Sequence, residues 1–319
     1  MIVDSLCNAF TPERAEAWDA AIAAQGIPLK VRRDPDDSFC DAPTMVARMD
    51  ELGIGTLVIA VGDESHHGGH VEHSTVSARP DELDELHRRW PGRFVGMWSI
   101  DPTLAMAGVA RAAEVLERPW AVGLFIHTHS FDRRFDHADY YPYYALGATV
   151  AMQAGTSGGL APSECGQPIG IDRPAIYFPG TNFVLSHTGW PWVEEAVAMA
   201  LKFPNVYLGT ASYPPRHWSP AVVDFARRAG RAKVIFGTNF PTVGHRHALA
   251  QFGELGLDED VARAILEGNA RRAFPRLAPP PPSDGGPSPE GRPSPEGRSS
   301  PEGRPASEVR PSPGGKEER

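Results

Sequence analysis

A (β/α)8 barrel is the fold class this sequence predicts, and three observations predict it. Apolar runs of strand length alternate with stretches whose apolar residues recur at helical spacing, and there are eight such runs. They are spread over about 270 residues, which is the count and length such a barrel needs. The third observation is where the polar, chemistry-bearing residues fall: nearly all sit at the C-terminal ends of the runs, the face on which this fold builds its sites.

The runs, in order, are MIVDSL at the start, GTLVIAV (55–61), GRFVGMWSI (92–100), AVGLFIHTH (121–129), ALGATVAMQAG (145–155), NFVLSHTG (182–189), NVYLGTAS (205–212) and KVIFGTNF (233–240). They are apolar runs of strand length, as a sheet needs. Between them, PTMVARMDELG, AMAGVARAAEVLE, WVEEAVAMALKFP and PAVVDFARRAG carry apolar residues at helical spacing. After Leu277 the composition changes to Pro, Gly, Ser, Glu and Arg, and SPEGR recurs at Ser288, Ser294 and Ser300. Such a tract has too few apolar side chains to offset its ordering entropy. The expected organisation is therefore a barrel over 1–277 and a disordered tail over 278–319. A passive tail is favoured over a ligand for a proline-binding partner.

Composition bounds the function. With 41% hydrophobic and 22% charged residues the chain can build a sizeable core. The net charge of -9 and the absence of a basic cluster give a nucleic-acid partner little electrostatic support, so none is expected. Cys7, Cys40 and Cys165 are odd in number and widely spaced, which signals neither a disulfide framework nor a zinc knuckle and fits a reducing cytoplasm. No apolar run approaches the roughly 20 residues that cross a bilayer. The opening MIVDSLCNAF lacks a basic and a long apolar region, so neither a membrane nor export is expected.

Several groups at the ends of the runs can carry chemistry. His187 closes the sixth run in FVLSHTG, with Trp190 just after it. LFIHTH places His127 and His129 two apart, hence on one strand face, as a metal element, a polar pocket lining or a solvated pair. DESHHGGHVEH supplies His66, His67, His70 and His73 in a glycine-containing loop after the second run, either a lid over the site or a solvated loop. Tyr140, Tyr141, Tyr143 and Tyr144 either wall a pocket for a planar ligand or pack a loop onto the core. In VIFGTNFP the residue where strand becomes loop is Asn239, a neutral amide that is neither a useful base nor a strong metal ligand.

FPGTNFVLSHTGWPWVEE, KFPNVYLGTAS, KVIFGTNFP and ILEGNARRAF follow one another at consistent spacing, with HRRWPGRFVGMWSIDP upstream. Together they resemble the amidohydrolase-related family, the branch that includes aminocarboxymuconate-semialdehyde and resorcylate-type decarboxylases, over residues 1–277. That resemblance implies a barrel holding one divalent metal, usually zinc, through an Asp-x-His-x-His motif on strand one, histidines on strands five and six, and an Asp on strand eight. Asp4 matches the leading Asp and His187 the strand-six histidine. Leu6 and Asn8 stand where the two motif histidines would be, Gln153 where the strand-five histidine would be, and Asn239 where the strand-eight Asp would be.

One imidazole among amides does not make a zinc site, so no cofactor is expected, with zinc or another divalent metal only if an alternative histidine site exists. The expected catalytic residues are His187, His127 and Asn239, and the expected substrate-binding residues His129, Gln153, Asn8 and Trp190. An imidazole is the natural acid-base group because it titrates near neutral pH. The resemblance implies a hydrolase or non-oxidative decarboxylase acting on a small cyclic or aromatic carboxylate, and a homodimer. The alternative is a barrel that has lost catalysis and binds a small molecule or protein.

Overall fold

A computed structural model describes residues 1–25, 34, 36–63, 77–157 and 159–277. The expected histidine loop at 66–73 and the tail at 278–319 lie outside the described residues.

Eight parallel strands pair in sequence order. They are β1 (Ile2–Cys7), β2 (Ile54–Val61), β3 (Phe94–Ser99), β4 (Ala121–Ile126), β5 (Thr149–Gln153), β6 (Phe183–Ser186), β7 (Val206–Gly209) and β8 (Val234–Ile235). All eight expected runs form strands, and the sheet closes on itself. Ser5 N–H donates to Phe236 O (3.1 Å), Asn239 N–H to Leu6 O (2.8 Å) and Asn8 N–H to Phe240 O (2.9 Å). The eighth run was expected as strand to residue 240, but regular strand ends at Ile235. The chain beyond it bends to make these seam bonds instead.

The helices are α1 (Pro12–Gln25), α2 (Ala42–Leu52), α3 (Pro80–Arg89), α4 (Ala105–Leu116), α5 (Tyr141–Tyr144), α6 (Asp172–Tyr177), α7 (Val193–Lys202), α8 (Pro220–Arg227), α9 (His245–Gly253), α10 (Glu259–Arg263) and α11 (Asn269–Ala273). Their ends follow local chemistry. Asp41 accepts a bond from Thr44 N–H (2.9 Å) at the start of α2, and Gly53 stops that helix at φ +70°.

Alternation along the strands builds two apolar layers. Val58, Val95, Val122, Val184 and Ile235 fill the barrel interior. Their neighbours Leu57, Phe94, Ala121, Phe183 and Val234 face the helices. At Gly96 a Cβ would lie 2.4 Å from Leu83 of α3, so the missing side chain lets that helix seat on β3. The N-terminal end of the barrel is plugged by Ala270, Ala273, Phe274 and Leu277, all buried in the interior layer. Thr149 Oγ1 and Asn182 Nδ2 both donate to Ala273 O, at 2.6 and 3.0 Å, tying the plug to the starts of β5 and β6. With one end filled, the other is where a ligand can enter.

The tyrosine cluster resolves to packing. Tyr143 donates to Asp101 O (2.8 Å) and Tyr144 to Phe135 O (2.9 Å), both buried, and Tyr144 packs edge-on against Phe183 at 5.1 Å.

Candidate active site

The polar residues at the strand ends form a chain of contacts around the open rim. At the seam, Asn8 Nδ2 donates to Asn239 Oδ1 (2.8 Å) and to Phe240 O (3.1 Å). Asn239 Nδ2 donates onward to Ser212 Oγ (2.7 Å), which follows β7. Tyr213, the next residue, lies 6.5 Å from Trp190 between ring centroids, and Trp190 follows β6. Gln153 closes β5 in register with Ser186, immediately before His187. His129 bonds through Nε2 to Gly155 O (2.8 Å), which links the end of β4 to that of β5.

Backbone strain collects at the same place. Among the described non-glycine residues with positive φ, His187 (+64°), Thr188 (+57°), Ser212 (+70°) and Asn239 (+54°) all follow β6, β7 or β8. Each such conformation costs on the order of 1–3 kcal/mol and persists only where the surroundings enforce it, which is common at functional sites.

The seam explains why Asn239 is an amide here. Asp4, fully buried on β1, accepts bonds from Leu6 N–H (3.3 Å), Thr238 N–H (2.9 Å), Thr238 Oγ1–H and His245 Nε2 (3.0 Å). His245 stacks flat on Phe240 with centroids 4.6 Å apart. The carboxylate is thus consumed by structure. Leu6 packs in the barrel interior, and Asn8 and Asn239 satisfy one another.

The imidazoles depart from expectation. His187 was expected to titrate near neutrality, but burial pushes it down from its ordinary value to about 3, with His129 nearby adding in the same direction. It is a neutral ring at pH 7, and its Nδ1 is buried without a partner. His127 and His129 do not share a strand face, because β4 ends at Ile126 and Thr128–Phe131 forms a 3-10 turn. That turn sends His129 inward, fully buried and held below its ordinary pKa chiefly by desolvation. His127 stays partly exposed, with Nδ1 2.7 Å from Ser130 Oγ. Trp190 is 51% exposed, unusual for so large an apolar side chain. Sequence reasoning missed Ser212, Tyr213, Ser130 and His245. Only Ser212 carried a signal, its place at the end of the seventh run.

The amidohydrolase family model matches residues 47–276. This chain belongs to the amidohydrolase family. No curated protein matches it. Among solved structures, an uncharacterised TIM-barrel protein from Bordetella bronchiseptica is 22% identical with a TM-score of 0.65, over 86% of this chain and 99% of that one. A 5-carboxyvanillate decarboxylase from Novosphingobium aromaticivorans, complexed with manganese and a nitrobenzoic acid, is 15% identical with a TM-score of 0.62, over 86% and 96%. A dihydroxybenzoic acid decarboxylase from Polaromonas, with bound manganese and 2-nitroresorcinol, is 18% identical with a TM-score of 0.59, over 86% and 96%.

These manganese-bound neighbours overturn the expectation that no cofactor is involved: a divalent metal belongs to the chemistry of this family. The described residues of this chain do not by themselves fit one. Among them no three His, Cys, Asp or Glu side chains come together as a metal set, and Asp4 has its oxygens taken by four protein donors.

Proposed function

We propose that this amidohydrolase-family member acts at the open end of its barrel on a small aromatic carboxylic acid, by non-oxidative decarboxylation. The observation that carries the reading is the joining of an aromatic wall, Trp190 and Tyr213, to a rim of polar groups at His187, Gln153, Asn8 and Asn239. Family membership and the two decarboxylase neighbours support the reaction class.

The reaction exchanges CO2 for a proton. A proton is delivered to the ring carbon that bears the carboxylate; the carbon–carbon bond then breaks, and its electron pair returns to the ring as CO2 leaves. His127 is the group to carry that proton. Its Nδ1 lies 2.7 Å from Ser130 Oγ, a contact that orients the ring. His187, neutral at working pH, serves as a hydrogen-bonding partner for the substrate rather than as an acid. Hydrolysis of a cyclic ester or amide would use the same groups.

The test is turnover of 2,6-dihydroxybenzoate and 5-carboxyvanillate, with and without added manganese, read as CO2 release. His127→Ala should lower the rate by about 10²-fold or more, the scale for losing an acid-base group. No release from any aromatic acid under either condition sinks the reading. A specific observation then favours a second one: Asn8 and Asn239 are bonded to each other across the seam, an arrangement that suits a barrel which binds a ligand without transforming it.

A further inference from the structure

Ser212 stands out once hydrogen-bond directions are followed around the rim. The Phe240 carbonyl can only accept, so the atom of Asn8 that faces it at 3.1 Å must be Nδ2. That fixes the orientation of the next group: Asn8 Nδ2 also donates to Asn239 at 2.8 Å, so Oδ1 of Asn239 faces Asn8. Nδ2 of Asn239 is thereby turned to Ser212, and its hydrogens go to Ser212 Oγ at 2.7 Å and toward Thr242 Oγ1 at 3.5 Å. Ser212 Oγ spends a lone pair on this bond and keeps its own hydrogen, for which the described residues supply no acceptor. The side chain is partly exposed. Its backbone is held at φ +70°, a conformation a serine adopts only when its surroundings enforce it.

The residue that follows Ser212 is aromatic and is paired with a second aromatic ring. Tyr213 is the next residue, with Trp190 6.5 Å away and half exposed. We infer that Ser212, Tyr213 and Trp190 form a ring-binding subsite in which a planar aromatic packs on the two side chains and presents an acceptor oxygen to the Ser212 hydroxyl. This rests on the reading that ligands enter at the open end of the barrel, and it adds the group that recognises the ring's substituent. The relay makes the hydroxyl a directed donor, because reversing it would leave the Phe240 carbonyl facing an amide oxygen. The ligand class is an oxygen-substituted benzene, a phenol or its ring carbonyl form. A bare hydrocarbon ring gains the packing and not the hydrogen bond.

Resorcinol and toluene are the probes, with binding to the full chain measured by tryptophan fluorescence and saturation-transfer NMR. Ser212→Gly removes the hydroxyl at a backbone conformation glycine accepts readily, so folding is not at risk. It should weaken resorcinol about 5- to 10-fold, the scale of one lost hydrogen bond, and leave toluene unchanged. Asn239→Asp should do the same by another route. A carboxylate cannot donate, so the Ser212 hydroxyl turns inward to it and is lost to the ligand. Trp190→Ala should weaken both probes. Resorcinol binding that is equal in the wild type and Ser212→Gly overturns the inference, as does the absence of resorcinol binding to the wild type. Resorcinol binding of the expected kind without any decarboxylation leaves the subsite in place and removes only the proposed reaction.

Discussion

His187 illustrates at residue scale what a sequence conveys and what it withholds. Its position was legible, because a histidine after FVLS and before a glycine turn marks a strand end. Its charge state was not, because desolvation depends on how tightly the fold packs around the ring and on the approach of His129, 58 residues earlier, neither of which the local sequence states. The consequence is a pH dependence of stability. In the unfolded chain the ring binds a proton at its ordinary value of 6.5, whereas in the fold it resists protonation until about pH 3. Between those values the unfolded state holds more protons, so stability is full above about pH 6.5 and falls as the pH drops toward 3. His129, lowered in the same direction by burial, adds to the slope. Urea unfolding at pH 7.5, 6.0 and 4.5 should show this loss, and His187→Gln should make it shallower; an identical slope in the variant would refute the assignment. The Asn8–Asn239 bond was equally illegible. The two residues lie 231 positions apart, and no spacing rule pairs them.

Elements were read more reliably than residues, for a physical reason. A strand buried on both faces must be apolar throughout, so GTLVIAV and NFVLS announce β2 and β6 without reference to anything distant. The end of the eighth run broke that rule, because residues 236–240 are shaped by seam bonds to β1 rather than by strand pairing with a regular partner. The plug is the complementary case. ILEGNARRAF contributed to the family resemblance, yet nothing local says that its Phe274 enters the barrel. In the fold Phe274 is fully buried in the interior layer, and a Cβ on Gly123 would lie 3.5 Å from its ring. Phe274→Ala should therefore destabilise the protein by about 3–5 kcal/mol, the range for emptying an aromatic site in a packed core. Equilibrium urea denaturation measures it directly. A loss under about 1 kcal/mol would mean that the plug is not part of the cooperative core.

For the whole molecule, the barrel's lower boundary follows from that plug. Leu277 is the last described residue and is still buried, and its N–H donates to Phe274 O at 3.0 Å. Arg276 just before it donates to Leu116 O at the end of α4. Core contacts thus persist up to Leu277, and beyond it the sequence turns to Pro, Gly, Ser, Glu and Arg. Two truncations separate these regimes. Ending the chain after Leu277 should leave the melting temperature within about a few degrees, the outcome expected for a segment with so few apolar side chains. Ending it after Asn269 removes Ala270, Ala273, Phe274 and Leu277 together and opens the N-terminal end of the barrel to water, so the folded state should be lost or the transition lowered by well over about 10 °C. A large drop in the first truncation would show that the SPEGR repeats pack on the barrel. A small drop in the second would move the closing contacts of the fold elsewhere, since the same four side chains would then be dispensable to the interior they fill.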